Sequence, residues 1–120
     1  MLLINPSCVV NVYSKKLTKS NAINIISNYD IIVDCTDNFT TRFLIDETIL
    51  LLNKPLVYGA IFQFEGQVSV FNYQGGPSYR DLSISTNHDN RQDANCSILG
   101  VLGVLPNIIG TIQATEVVVV

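Results

Sequence analysis

The chain has 120 residues, of which 48% are hydrophobic and 14% are charged, and its formal net charge is −3. This length and apolar content fit one small domain with a buried core, and they exclude an intrinsically disordered tail. The weak negative charge provides no attraction toward nucleic acid or an anionic membrane, so neither is expected as a partner.

The first half of the chain is predicted to alternate strands with helices. Apolar β-branched runs predict strands, and a spacing of three to four residues between apolar side chains predicts helices. These patterns predict a strand over Val9–Tyr13, a helix over Thr18–Asn28, a buried strand over Ile31–Asp34 and a helix over Thr40–Leu52. The helix over Thr40–Leu52 carries apolar residues on most of its faces, which predicts that it is buried.

The second half is predicted to add two strands and a closing helix. A strand is expected over Leu56–Phe62, an antiparallel strand over Gln67–Asn72, a polar irregular segment over Gly75–Asn95 and a helix over Gly103–Val119. Pro106 falls in the first turn of that helix, where proline is tolerated. The order of elements predicts an α/β fold: a Rossmann-like, mostly parallel sheet with an added antiparallel strand.

A loop with two carboxylates, Asp34 and Asp37, directly follows the strand over Ile31–Asp34. Ligands of open α/β sheets bind just past the carboxyl ends of the strands, so a nucleotide or its metal would lie here. The alternative is that these residues only cap the next helix, since Asp and Asn are common at helix N-termini. Cys35, between the two carboxylates, is expected to be a small buried residue.

The three cysteines, Cys8, Cys35 and Cys96, are odd in number and widely spaced. This pattern argues against a disulfide framework and suits a reducing compartment. Plentiful Ile and Asn with no Trp are typical of AT-rich coding sequence, which makes a plastid origin an open alternative. We therefore expect the cytoplasm or the plastid stroma.

Several sequence motifs follow the acidic loop in a specific order. They are Asn38–Asp46, Lys54–Ala60, Phe64–Phe71, Gly100–Pro106 and Ile109–Glu116. In this order and spacing the chain resembles the ThiF/MoeB/HesA family, adenylyltransferases that activate ubiquitin-like sulfur-carrier proteins. The likeness is greatest to the branch that acts on molybdopterin synthase.

The resemblance implies ATP-dependent adenylylation of the C-terminal glycine of a ubiquitin-like sulfur-carrier protein, with ATP and Mg²⁺ as cofactors. The pathway would be molybdopterin or thiamine synthesis, with molybdopterin preferred, and family members are typically homodimers. Residues 1–120 correspond to the C-terminal part of a ThiF-type adenylyltransferase domain. The family's glycine-rich phosphate loop is not among them, so we expect that the chain as given does not adenylate a carrier.

The resemblance assigns the second Asp of the acidic loop, here Asp37, to Mg²⁺ and ATP. Mg²⁺ held by a carboxylate neutralises phosphate charge well. A role for Asp37 as the N-cap of the following helix is the alternative. Asn38 is expected to line the nucleotide pocket. Arg42 could bind a phosphate or pair with Asp46 four residues later, and the salt bridge is the favoured role.

Cys96 is the candidate catalytic residue. In the protein-sulfurating branch, a cysteine just before the Gly-Val-Leu-Gly motif forms a thioester or persulfide with the carrier, and Cys96 matches that position. The family usually has acidic and small residues after it, where this chain has Ser97 and Ile98. An unreactive loop thiol is the alternative.

Zinc is not expected. The family commonly carries a Cys-x-x-Cys pair after the hairpin, where this chain has Ser78 and Asp81. A structural zinc site needs four good ligands, usually thiolate or imidazole, and the sequence does not assemble them.

Other readings remain open. One is a degenerate relative that still binds a carrier but no longer adenylates it. Another is an unrelated Rossmann-type protein such as an NAD-dependent dehydrogenase. That reading is weakened because no G-x-G-x-x-G motif follows any predicted strand.

Overall fold

A computed structural model describes residues 3–85 and 102–120 of the chain. Its elements in chain order are α1 Ala22–Ile26, β1 Ile32–Asp34, α2 Phe39–Leu52, β2 Leu56–Phe62, β3 Glu65–Phe71, α3 Tyr79–Ser85 and α4 Leu105–Val119. Within these ranges, no helix has the length and apolar character that a bilayer crossing requires.

The three strands form one sheet in the order β1-β2-β3. β1 runs parallel to β2, with Asp34 paired to Tyr58. β3 returns antiparallel to β2, and Phe62 pairs with Glu65 across a tight turn. The predicted α/β fold with an added antiparallel strand is therefore confirmed, and the predicted limits of β2 match the observed ones.

Helices cover both faces of the sheet, as the alternation of side chains along β2 requires. Leu56 and Tyr58 join a buried cluster on the face of α1, α2 and α3; its other members are Ile26, Ile45, Ile49, Phe71 and Tyr79. Gly59, the residue after Tyr58, lies on the opposite face and contacts α4, which packs on β2 and β3. The central strand is thus covered on both faces.

Two predictions about the first half of the chain are wrong. Val9–Tyr13 forms no strand, and Val9 and Val12 are 85% and 81% exposed. Strand-forming residues need a paired, half-buried surface, which no described strand provides for this segment. The helix α2 is not buried all round, because Leu50 and Leu51 face outward and are 45% and 75% exposed.

The segment predicted as irregular contains the helix α3. Ser78 donates its backbone N–H to the Asp81 carboxylate at 2.8 Å, and its hydroxyl lies 3.3 Å from the same oxygen. An acidic residue three positions after a Ser is the pattern of a capping box, which satisfies exposed N–H groups at a helix start. The two residues that replace the family's first cysteine pair therefore start a helix.

Candidate functional site

A pocket of about 310 Å³ opens past the carboxyl end of β1. Its walls come from the loop after β1, from α2, from β2 and from one face of α4. The lining residues are Cys35, Thr36, Asp37, Arg42, Gly59, Ala60, Ile61, Pro106, Ile109, Gly110 and Gln113. The pocket thus lies where an open α/β sheet binds its ligands.

Asp34 shapes the loop at the mouth of β1. Its Oδ1 accepts hydrogen bonds from the backbone N–H of Thr36 at 2.8 Å and from the Thr36 hydroxyl at 2.7 Å. The residue is 1% exposed, and its Oδ2 has no hydrogen-bond partner among the described residues. A carboxylate used in this way tightens the turn between the strand and the pocket.

The sequence left two roles open for Asp37, a place in the pocket or the N-cap of α2, and in the structure Asp37 has the first and Asn38 the second. Asn38 is the N-cap of α2, and its Oδ1 accepts the backbone N–H of Thr41 at 2.9 Å. Asp37 does not cap the helix; its Oδ1 accepts a bond from Asn38 Nδ2 at 3.3 Å. Asp37 is exposed and lines the pocket, whereas Asn38 is not among the lining residues. The N-cap alternative for Asp37 is therefore wrong.

Arg42 extends from α2 to the pocket wall. Its Nη2 donates to the carbonyl oxygen of Thr36 at 2.8 Å, and its guanidinium lies 5.6 Å from the Phe39 ring and 5.5 Å from the Tyr58 ring. Such cation–π contacts hold a guanidinium in place. Burial raises the pKa of Tyr58 to about 12, while the positive charge of Arg42 acts in the opposite direction.

The favoured salt bridge between Arg42 and Asp46 does not form. The Asp46 carboxylate is fully buried and instead accepts the backbone N–H groups of Tyr79 at 2.9 Å and Arg80 at 3.3 Å. These donors belong to the first turn of α3, where a helix favours a negative charge. The Asp46 carboxylate thus bonds to α3, and not to Arg42, the partner that helix spacing alone predicts.

The prediction that Cys35 is buried is wrong, because it is exposed and lines the pocket. β1 ends at Asp34, so the residue after it turns out of the sheet. The Cys35 thiol points toward Gln113, with Sγ 3.6 Å from Oε1. Cys96, the candidate catalytic residue, lies outside the described residues, and its role stays a prediction.

Gln113 is a site residue that the sequence analysis missed. It is 4% exposed, and its Nε2 lies 2.9 Å from the carbonyl oxygen of Asp34 and 3.4 Å from that of Val57. One amide from α4 thus contacts the last residue of β1 and the second residue of β2. The available signal was its position four residues after Ile109 and eight after Leu105, on the buried stripe of the helix.

The site fits a metal that arrives with a nucleotide. Within residues 3–85 and 102–120, no group of three or more His, Cys, Asp or Glu side chains could hold a metal ion. Mg²⁺ is usually bound by one or two carboxylates together with substrate phosphates and water, not by a cage of protein ligands. Asp37 is the carboxylate that lines the pocket.

Comparisons with known proteins give consistent relatives. A protein from Pyropia yezoensis named probable molybdopterin-synthase adenylyltransferase is 57% identical over 118 residues, which are 98% of this chain and 31% of the relative. The sulfur carrier protein adenylyltransferase of Thermus thermophilus is 42% identical over 118 residues, 94% of this chain and 43% of the relative. An Arabidopsis thaliana protein named adenylyltransferase and sulfurtransferase MOCS3 is 48% identical over 113 residues, 94% of this chain and 24% of the relative.

The chain spans about a third of the length of the relatives that match it at 49% to 57% identity. Residues 1–120, the whole of the chain, match the ThiF family. The strand-end pocket and the position of Asp37 within it are consistent with that match. The chain therefore belongs to the ThiF family.

Proposed function

We propose that this chain takes part in ATP-dependent adenylylation of the C-terminal glycine of a ubiquitin-like sulfur-carrier protein, in molybdopterin rather than thiamine synthesis. The names of the similar proteins from Pyropia yezoensis and Thermus thermophilus support this reaction and this class of partner. The observation that carries it is Asp37, a carboxylate in the strand-end pocket that is not used as a helix cap.

In the proposed reaction, the carrier's terminal carboxylate attacks the α-phosphate of ATP, a carboxyl–phosphate bond forms and pyrophosphate leaves. Mg²⁺ would neutralise phosphate charge in this step. Asp37 would hold the metal through its carboxylate, which lines the pocket. Asn38 would act by orienting Asp37 and fixing the start of α2.

Arg42 would be the positive charge at the pocket wall. Within residues 3–85 and 102–120 the guanidinium donates one hydrogen bond, to Thr36, which leaves further N–H groups for a phosphate. The Phe39 and Tyr58 rings restrict where these groups can point. A fixed guanidinium binds phosphate with little loss of side-chain entropy. This preorganisation favours a phosphate role over a surface ion pair.

The test uses a chimera in which this chain replaces the matching 118 residues of the Pyropia yezoensis relative. We expect carrier-dependent ATP–pyrophosphate exchange from the chimera. Asp37→Asn keeps the shape of the side chain but removes its charge, and should lower exchange by about 100-fold. Its thermal midpoint should stay unchanged because Asp37 is exposed.

Two results would contradict the proposal. Full exchange by Asp37→Asn would remove Asp37 from the site. A folded chimera that binds the carrier without exchange would favour the degenerate binding module. The homodimer, the sulfur-transfer role of Cys96 and a cytoplasmic or plastid location stay predictions that this experiment does not address.

A further inference from the structure

We infer that Gln113 is a positioning residue that sets the acidic loop, and with it Asp37, in the geometry that adenylylation requires. The inference rests on the proposed function for its catalytic consequence, but its structural part stands without it. Gln113 is the polar residue on the buried face of α4, beside Leu105 and Ile109.

The first step is the set of contacts. The amide of Gln113 donates to the carbonyl oxygen of Asp34 at 2.9 Å and lies 3.4 Å from that of Val57. Its carbonyl oxygen accepts from the thiol of Cys35 at 3.6 Å. The N–H and the carbonyl oxygen of the Gln113 amide therefore bond to consecutive residues, Asp34 and Cys35, where the loop leaves the sheet.

The second step is the space that the sheet provides. A Cβ added at Gly59 would lie 2.3 Å from Cδ of Gln113 and 2.5 Å from both Nε2 and Oε1. A side chain at Gly59 is thus incompatible with the observed amide position. The glycine of β2 and the glutamine of α4 form one complementary contact.

The third step is how the contact reaches the pocket. Asp37 lies three residues after Asp34, and the turn between them is closed by the bonds from Thr36 to Asp34. A change in the Asp34 backbone is therefore carried into Asp37. Groups that orient a metal ligand without touching the metal commonly change metal affinity or activity by about 10- to 100-fold.

The test compares Gln113→Met with Thr115→Val. Met keeps the length of the side chain but neither donates nor accepts as the amide does. Thr115 is exposed on α4, and its hydroxyl donates to the carbonyl oxygen of Thr111 in the same helix at 2.9 Å, so its replacement removes a hydrogen bond away from the pocket. The first readout is the rate of Cys35 alkylation by iodoacetamide in the 120-residue chain, followed by peptide mass spectrometry.

We expect Gln113→Met to raise Cys35 alkylation by about threefold or more while Cys8 alkylation stays at the parent rate, and Thr115→Val to change neither. Amide exchange should rise at residues 34–38 and stay unchanged in β2 and β3. Equal rates in Gln113→Met and parent would overturn the inference. A rise in amide hydrogen exchange across the whole chain would also overturn the inference, since Gln113 would then stabilise the fold in general and not the loop.

The second readout is the Mg²⁺ dependence of pyrophosphate exchange in the chimera. Gln113→Met should raise the Mg²⁺ concentration for half-maximal rate by about tenfold and leave the KM for the carrier unchanged. A lower rate with unchanged Mg²⁺ dependence would remove the link to Asp37. An inactive parent chimera would contradict the proposed function, while the alkylation result would still decide the role of Gln113.

Discussion

The contact between Gly59 and Gln113 predicts a non-additive pair of mutations. In Gly59→Ala, the new Cβ would lie 2.3 Å from Cδ of Gln113, so the amide must move and its 2.9 Å bond to Asp34 is lost. The Gln113 amide is buried, and a buried donor left without a partner costs about 2 kcal/mol. Alanine returns about 0.5 kcal/mol by restricting the unfolded chain. The net destabilisation of Gly59→Ala should be roughly 1.5 kcal/mol.

The same substitution should cost almost nothing once Gln113 is alanine, because the three atoms nearest the new Cβ all belong to the Gln113 amide. A double-mutant cycle measured by urea unfolding should give an interaction energy of about 1.5 to 2 kcal/mol. Gly110→Ala is the control: a Cβ there meets nothing within 4 Å, and this position in α4 should gain about 1 kcal/mol from helix propensity. Additive effects of Gly59→Ala and Gln113→Ala would refute the reasoning.

Three further predictions concern the other face of the sheet. Asp46→Asn should destabilise the fold by about 1 to 3 kcal/mol, because one amide oxygen cannot replace the buried carboxylate that accepts two N–H groups of α3. Glu47→Gln, which breaks the exposed 2.7 Å ion pair with Arg80, should cost under about 1 kcal/mol in the same urea assay. Burial raises the pKa of Tyr58 from 10.0 to about 12, so the folded state keeps a proton that the unfolded state loses. The free energy of unfolding should therefore fall as the pH rises from 10.0 to about 12, and it should fall less in Tyr58→Phe. If the urea midpoints of the parent and of Tyr58→Phe changed equally with pH, the prediction would be wrong.

The elements with strong local patterns were predictable from the sequence. β2 is an apolar run closed by Lys54 and Pro55, and its observed limits equal the predicted ones. The predictions for α2 and α4 differ from the observed helices by only one or two residues at the start. α3 was not predicted, although Ser78 and Asp81 carry the capping-box spacing, because these positions also match those of the family's metal-ligand pair.

The candidate site was predictable only in its location. A strand followed by carboxylates correctly indicated the strand-end pocket, since that depends on topology alone. The partners of each polar side chain depend on which element packs against which. Asp46 is four residues from Arg42 in sequence, yet it bonds to Tyr79, 33 residues away. Helix spacing cannot predict a contact of this kind.

Gln113 shows why such long-range contacts matter at this site. It lies 79 residues from Asp34 in the chain, yet its amide is the described link from α4 to the carbonyl where the acidic loop begins. A buried amide costs free energy unless both of its ends are hydrogen-bonded, and here they are bonded to β1, β2 and Cys35. A Leu or Met would fill the same space between α4 and the sheet without that requirement. A glutamine at this position therefore specifies the position of the loop, and through the loop the position of Asp37.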